Sequence, residues 1–88
     1  RWQTFSKHDQ LLHIGAAIIR ASNWQKENNE KYFKFCLNEA LSLTNLCIQD
    51  LKWQDEISHP QILSLYQELE KFKSGERKDN IKILYQAL

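Results

Sequence analysis

Two cysteines are the residues of this sequence whose thiols could bind a metal, act as nucleophiles or form a disulfide. Cys36 and Cys47 stand eleven residues apart. On one helix they would share a face at a separation of about 16 Å, far beyond disulfide reach. No Cys-x-x-Cys pair occurs, and no histidine stands at ligand spacing from either cysteine. We therefore predict two buried core cysteines, no metal site and no cofactor.

The three histidines do not complete a site by their spacing. Asp9 and His13 lie one helical turn apart, which suits either a surface pair or half of a metal site. A four-ligand site would need further partners. His59 before Pro60 indicates a turn. The sequence also lacks a nucleophile elbow, a phosphate-binding glycine loop and a His-Glu-x-x-His motif, so we predict no catalytic residues and no enzyme activity.

A mixed-charge segment near the end of the chain is the one candidate for contact with nucleic acid. Its basic residues are Lys71, Lys73, Arg77, Lys78 and Lys82. Four acidic residues are interleaved with them or lie just before them: Glu68, Glu70, Glu76 and Asp79. Such mixed charge is typical of a solvated helix face, and a phosphate-contacting patch is the alternative.

Aromatic residues exceed what the helical stripes of the chain require. Trp2, Phe5, Trp24, Trp53 and Tyr85 all fall near predicted helix ends or outside those stripes. They can close the ends of a bundle, or they can anchor a partner protein, since Trp and Tyr are enriched in interfaces. For partner binding we select Trp24, Trp53 and Tyr85, together with Gly15, where a second helix can approach closely.

Composition limits the class of protein to which the chain belongs. Its 88 residues fit one domain, 1–88, and the net charge of +1 provides no overall attraction to nucleic acid or anionic lipid. No apolar run of about 18 residues occurs, so no membrane span is predicted. Unpaired cysteines favour a reducing compartment, here the cytoplasm. The chain begins at Arg1 and ends at Leu88 within an apolar stripe, and we expect it to continue at both ends.

Apolar residues recur every three or four positions, which predicts helices throughout. The first helix should start at Ser6, with Asp9 three residues on as in a capping box, and end near Lys26. Its predicted stripe, with the residues that widen it, contains Leu11, Leu12, Ile14, Ala17, Ile18, Ile19 and Ala21. Asn28 and Asn29 indicate a turn and the N-cap of the next helix.

The second helix should be the central one, because its apolar stripe continues over five turns. We assign Phe33, Leu37, Ala40, Leu43, Cys47 and Leu51 to that stripe, with Tyr32, Phe35, Leu41 and Ile48 beside it. A third helix should open at Ser58–Pro60 and stop at Gly75. Its stripe is Ile62, Leu65, Leu69 and Phe72, with Tyr66 alongside.

A last helical segment should begin at about residue 79 and carry Ile81, Leu84, Tyr85 and Leu88 on one side. Short connections imply antiparallel neighbours. The predicted fold is therefore an all-α antiparallel bundle of three longer helices and a shorter C-terminal segment.

The pattern resembles an uncharacterised family of short bacterial all-helical proteins. The matching residues are Ile14-Gly15, Arg20-Ala21, Trp24, Asn29, Ala40-Leu41, Leu43, Leu46 and Asp50, continued by Leu63, Leu65, Glu68 and Phe72. The chain departs from that pattern at Ala17, Asn45 and Cys47. The resemblance implies a helical bundle and no particular activity. A looser similarity, through Gln10-Leu11-Leu12, Gly15-Ala16 and Leu65-Tyr66, is to the flagellin export chaperones.

Helical-bundle ribonucleases of the HEPN family carry an arginine followed four to six residues later by a histidine. No histidine lies in that window after Arg20 or after Arg77. The histidine that such a nuclease requires as its base is therefore missing.

We predict a non-enzymatic protein–protein interaction module of the bacterial cytoplasm, an adaptor, accessory subunit or chaperone-like bundle. It would bind another protein, or itself, by helix-in-groove packing with aromatic anchors. The alternatives are a nucleic-acid-associated accessory protein that uses the segment from Lys71 to Lys82, and a helical companion of a nucleotidyltransferase or toxin.

Overall fold

The computed structural model describes residues 2–88 of the predicted domain, and Arg1 lies outside the described residues. Four α-helices follow one another: α1 (Lys7–Lys26), α2 (Glu30–Gln49), α3 (Ser58–Ser74) and α4 (Lys82–Gln86). Short 3-10 turns span Trp2–Thr4 and Leu51–Trp53. No residue from 2 to 88 is in a strand, which confirms the all-α prediction.

Local hydrogen bonds define three helix boundaries where the sequence placed them. The Ser6 hydroxyl accepts from the Asp9 N–H at 3.1 Å, so Ser6 is the N-cap of α1. Asn29 caps α2 in the same way, because its Oδ1 accepts from the Tyr32 N–H at 3.2 Å. Gly75 ends α3 in the left-handed conformation with φ of 84°.

The start of α3 depends on a residue that the sequence pattern did not single out. Oδ1 of Asp55 accepts from the backbone N–H of Ile57 at 3.0 Å and of Ser58 at 2.6 Å. Its other oxygen accepts from Lys7 Nζ at 2.8 Å. The Lys7 bond and these backbone donors hold the pKa of Asp55 well below its usual range. Asp55 therefore ties the first turn of α1 to the first turn of α3.

The helices pack in sequence order, with α2 between α1 and α3, and α4 against α1. This arrangement confirms that α2 is the central helix. One hydrophobic core joins all four helices and the second 3-10 turn. Its buried members are Ile14, Ala17, Ile18, Ala21, Phe33, Cys36, Leu37, Ala40, Leu41, Cys47, Trp53, Ile62, Leu69, Phe72, Ile81 and Leu84.

Six apolar or aromatic residues that the stripes contained are on the surface: Tyr32, Tyr85 and Leu88 are 42–47% exposed, and three others are exposed further. Leu12 is 54% exposed, Phe35 is 71% exposed and Leu51 is 87% exposed. The first two face away from the neighbouring helices. Leu51 lies beyond the end of α2 at Gln49, so the helical period no longer determines its direction. The predicted stripes were too wide on α1 and α2 and one turn too long on α2.

Side chains of α1 hold the chain before α4. Nε2 of Gln25 donates to the Asp79 carbonyl at 2.9 Å, and its Oε1 accepts from the Ile81 N–H at 2.7 Å. The Ser22 hydroxyl donates to Oδ1 of Asn80 at 2.8 Å. These bonds occupy backbone groups around residue 80, so α4 begins three residues later than the sequence pattern predicts.

Candidate functional site

The four residues selected for partner binding do not form one surface. Trp24 is half-buried near the end of α1, with its ring 4.9 Å from that of Tyr32. Gly15 and Tyr85 do lie together, since a Cβ built on Gly15 would come within 2.9 Å of Tyr85 Cε1. Gly15 thus permits the close approach of α4 of the same chain.

Trp53 differs most from its predicted role. It is 4% exposed, which makes it a core residue and not an exposed anchor. The indole Nε1 donates to Oε1 of Gln10 at 2.6 Å. The ammonium group of Lys7 lies 5.3 Å from the centroid of the ring. Trp53 therefore closes one end of the bundle, which is the alternative that the sequence left open for its aromatic residues.

Gln10 lies at the centre of a buried polar network at that end. Its Nε2 donates to the Trp2 carbonyl at 2.9 Å and to Oδ2 of Asp50 at 3.2 Å. Its Oε1 accepts from Trp53 and also from Sγ of Cys47 at 3.7 Å. Both polar atoms of a fully buried amide are thus satisfied, which is the condition for placing it in a core.

Asp50 links this network to the surface. Its Oδ2 accepts from Nζ of Lys52 at 2.7 Å, and Lys52 Nζ also donates to the Gln3 carbonyl at 3.0 Å. The pKa of Asp50 is lowered, chiefly by the bond from Lys52, with smaller effects from the Lys52 backbone N–H and from Gln10. Asp50 therefore stays ionised in a largely buried position.

A groove between α3 and α4 is a concave surface with a largely apolar lining. It has a volume of about 580 Å³, and eight of its eleven lining residues are apolar. Those eight are Leu11, Trp53, Pro60, Ile62, Leu65, Leu84, Ala87 and Leu88. The polar residues are Gln61, Ser64 and Glu68. Side chains of α1, α3, α4 and the last two residues thus line one groove together with Trp53 of the second 3-10 turn.

The lengths of the helices explain why this groove exists. In a four-helix bundle, a fourth helix of similar length would lie against both α1 and α3. Here α4 has five residues and α3 has 17. At about 1.5 Å per residue their lengths are roughly 7.5 Å and 25 Å. The fourth position is filled over only part of the length of α3, and its apolar neighbours stay partly uncovered.

Internal ion pairs engage part of the basic segment. Glu68 accepts from Nζ of Lys71 at 3.1 Å and from Nη1 of Arg77 at 2.8 Å, and Arg77 also pairs with Asp79. The Lys71 bond, followed by the Arg77 bond, lowers the pKa of Glu68. Lys73 and Lys78 remain outside these pairs and line a second cavity, at the end of the bundle where Trp24 lies. Lys82 is exposed on α4, outside that cavity.

The residues with metal-binding side chains are dispersed. Between residues 2 and 88, no three His, Cys, Asp or Glu side chains come together in a group that could hold a metal ion. The His13 ring stacks on Phe5, with 5.1 Å between their centroids. Cys36 and Cys47 are both free and buried, which confirms the prediction of core cysteines. In the same described part of the chain, no helix has the length and apolar character needed to cross a membrane.

Sequence reasoning missed the residues that form the groove and the network. Leu11, Leu65, Leu84 and Leu88 were recognised as apolar stripe positions, but the stripe does not tell which of them a neighbouring helix covers. Nothing in the local sequence distinguishes Gln10 from an exposed helix residue, because three of its partners lie 37 to 43 residues later and the fourth, the Trp2 carbonyl, lies outside its helix.

The fold and the groove together define the chain as a small all-helical bundle with one partly open face. Comparison of the chain with protein-family models, with curated proteins and with solved structures gave no match.

Proposed function

We propose that this chain is a protein-interaction module that receives an amphipathic helix of a second protein in the groove between α3 and α4. The apolar lining of that groove, contributed by three helices, carries the proposal. The proposed mechanism is binding by burial of apolar surface, with no catalytic step.

A helix suits this groove for geometric reasons. Besides the buried Ile62, its α3 wall carries Pro60, Gln61, Ser64, Leu65 and Glu68. These positions follow the three-to-four spacing of one helix face. A partner helix lying along this face would pack at an interaxial distance of about 8–10 Å, as helices do in bundles. It would cover the part of α3 that the short α4 leaves open.

The exposed tip of the α4 wall offers further apolar surface to such a partner. Leu88, which lines the groove, is 42% exposed. An exposed apolar side chain at the edge of a groove is a suitable contact for the apolar stripe of an incoming helix. Of the residues selected from the sequence, Trp53 lines the groove, whereas Tyr85 lies against Gly15 of α1.

We propose that the protein is located in a reducing compartment, the bacterial cytoplasm. Both cysteines are free thiols and are buried in separate parts of the core. The bacterial assignment rests on the resemblance described above.

Native mass spectrometry of the protein purified from its own host at gentle salt would test the proposal. We expect a stoichiometric second protein. Ser64→Arg and Ala87→Arg place a large charged side chain in the groove at exposed positions and should remove that protein from the complex. The matched controls are Ser42→Arg and Ala16→Arg, which are also exposed and lie outside the groove.

Retention of the partner by both groove variants, or an equal loss in the control variants, would overturn the proposal. A homo-oligomer that only the groove variants dissociate would show that a second copy of this chain occupies the groove. Circular dichroism should show the same helix content in all four variants.

The nucleic-acid alternative depends on the basic segment and makes a different prediction. Binding of nucleic acid to the basic segment should weaken steeply with salt, because each phosphate contact releases counterions. Burial of apolar surface in the groove should be nearly insensitive to salt. Glu68 and Asp79 already pair with Lys71 and Arg77, so two of the five basic residues of the segment are engaged within the chain. A stable complex with a nucleotidyltransferase or toxin would identify the third alternative directly.

A further inference from the structure

A second cavity lies at the opposite end of the bundle from the Gln10 network. Its volume is about 560 Å³, within the range of about 300–1,000 Å³ that is usual for small-molecule sites. The turn between α1 and α2, the first turns of α2, the end of α3 and the loop after it all contribute walls. We refer to it as the basic cleft.

Positive charge is concentrated in the basic cleft. Four of the twelve Lys and Arg residues of the chain line it, but only one of the eleven Asp and Glu residues, Glu30, does so. The four are Lys34, Lys73, Arg77 and Lys78. Because the whole chain has a net charge of +1, acidic residues outnumber basic ones outside the cleft. The local charge therefore differs in sign from that of the remaining chain.

Three of these four cations are available to a ligand. Arg77 pairs with Glu68 and Asp79, and its guanidinium carbon lies 4.7 Å from the centroid of the Phe72 ring. Lys34, Lys73 and Lys78 form no ion pair with any described residue. They belong to α2, α3 and the following loop, so three separate elements each contribute one free ammonium group.

The backbone acceptors at this end of α3 are already engaged. The Lys71 carbonyl accepts from the Arg77 N–H at 3.1 Å, and the Phe72 carbonyl accepts from the Gly75 N–H at 3.4 Å. An anion in the cleft would thus meet lysine donors near two carbonyls that already have partners. Trp24 adds a half-buried aromatic ring to the wall.

We propose that the basic cleft binds a nucleoside phosphate, either free or as part of a single strand. Lys34, Lys73 and Lys78 donate to phosphate oxygens, and the ring of Trp24 contacts the base. The cavity is larger than one phosphate group requires, which leaves room for the nucleoside. This site is separate from the groove between α3 and α4, and it does not depend on the proposed function of that groove.

Two of the three tryptophans provide a built-in assay by nuclear magnetic resonance. The indole N–H of Trp24 reports on the cleft. That of Trp53 reports on the opposite end, since Gln10 and Trp24 are about 21 Å apart along α1. The probes are adenosine diphosphate and hexathymidylate, titrated at low salt. We expect saturable shifts of the Trp24 indole and of the amides of residues 73–78, with the Trp53 indole unchanged.

A matched pair of double variants separates a site from general attraction to lysines. Lys34→Gln with Lys78→Gln should weaken binding by at least about tenfold, because two of the three phosphate donors are lost. Lys26→Gln with Lys82→Gln removes the same charge from exposed positions outside the cleft and should weaken it by less than about threefold.

Tighter binding of adenosine diphosphate would identify a free nucleoside phosphate as the ligand. Tighter binding of hexathymidylate, with a steep salt dependence, would identify a single strand. The proposal fails if millimolar concentrations of both probes leave the chemical shift of the Trp24 indole N–H unchanged. It fails equally if the two double variants lose the same affinity while circular dichroism shows that both remain folded.

Discussion

The side chains of Gln10 and Trp53 are joined by a hydrogen bond of 2.6 Å between the amide oxygen and the indole nitrogen. Both residues are buried, and they stand 43 positions apart in the chain. This bond links α1 to the turn that follows α2, and Trp53 also lines the groove between α3 and α4. It therefore connects the stability of the bundle with the shape of the proposed binding site.

Replacing Gln10 with methionine should destabilise the fold by about 2–3 kcal/mol. The side chain keeps its length, but the buried indole N–H of Trp53 loses its acceptor and Asp50 loses a donor. Urea denaturation of the purified variant measures the loss. In a Trp53→Phe background the same change should cost at least about 1 kcal/mol less, because the donor is already absent. Equal costs in both backgrounds would show that the bond contributes nothing.

The network predicts a dependence of stability on pH through Asp50. Its pKa in the folded protein is below the usual value, chiefly because Lys52 donates to it. The stabilisation is present above the unfolded pKa of about 4, and it is lost as the pH falls through the lower, folded pKa. Between pH 7 and pH 2, Asp50→Asn should therefore lose less stability than the wild-type chain.

Urea midpoints across this pH range provide the measurement. Glu70→Gln is a suitable control, because Glu70 is exposed and forms no ion pair with a described residue. It should retain the wild-type profile. A profile of Asp50→Asn that is parallel to that of the wild type would contradict the assigned role of Asp50.

Gly15 offers a test of how α4 is attached to α1. An alanine Cβ at this position would lie 2.9 Å from Cε1 and 3.1 Å from Cδ1 of Tyr85. Gly15→Ala gains about 1 kcal/mol of helix propensity but must displace the Tyr85 ring, so the net change should stay within about 0.5 kcal/mol.

In a Tyr85→Ala background the obstacle is gone, and the full gain of about 1 kcal/mol should appear. The nearest remaining atom, Leu88 Cδ1 at 3.4 Å, is at an ordinary contact distance. Thermal or urea denaturation of the wild-type protein, the two single variants and the double variant measures the gain in each background. The same gain in both backgrounds would mean that Tyr85 does not restrict this position.

The two thiols should be unreactive in the folded protein. Burial raises the pKa of Cys47 to about 12, so almost no thiolate is present at pH 8. Cys36 is buried as well. Ellman's reagent should label neither cysteine at pH 8 in buffer and both in guanidinium chloride. Rapid labelling of one thiol in buffer would show that the core opens locally without global unfolding.

Features that depend on neighbours in sequence were predictable from the sequence. Ser6, Asn29 and Gly75 bond within three or four residues of their own position, so residue type and order suffice to locate the helix ends they define. The same holds for the number of long helices, because a period of three or four apolar residues can be read along the chain. The burial of Cys36 and Cys47 follows from that periodicity.

Tertiary structure alone decided which apolar residues are covered. Leu37 and Leu51 both belong to the stripe predicted for α2, but only Leu37 has helices packed on it. Gln10 enters the core because the Trp53 indole, the Asp50 carboxylate and the Trp2 carbonyl come together around it.

The groove between α3 and α4 and the basic cleft arise in the same way, from helices of unequal length and from loops that meet in space. The sequence by itself determined that the chain forms helices and where the boundaries at Ser6, Asn29 and Gly75 lie, because those properties depend on local hydrogen bonds and periodicity. Which surfaces stay open was decided by packing between residues far apart in the chain, and a local pattern holds no information about those distances.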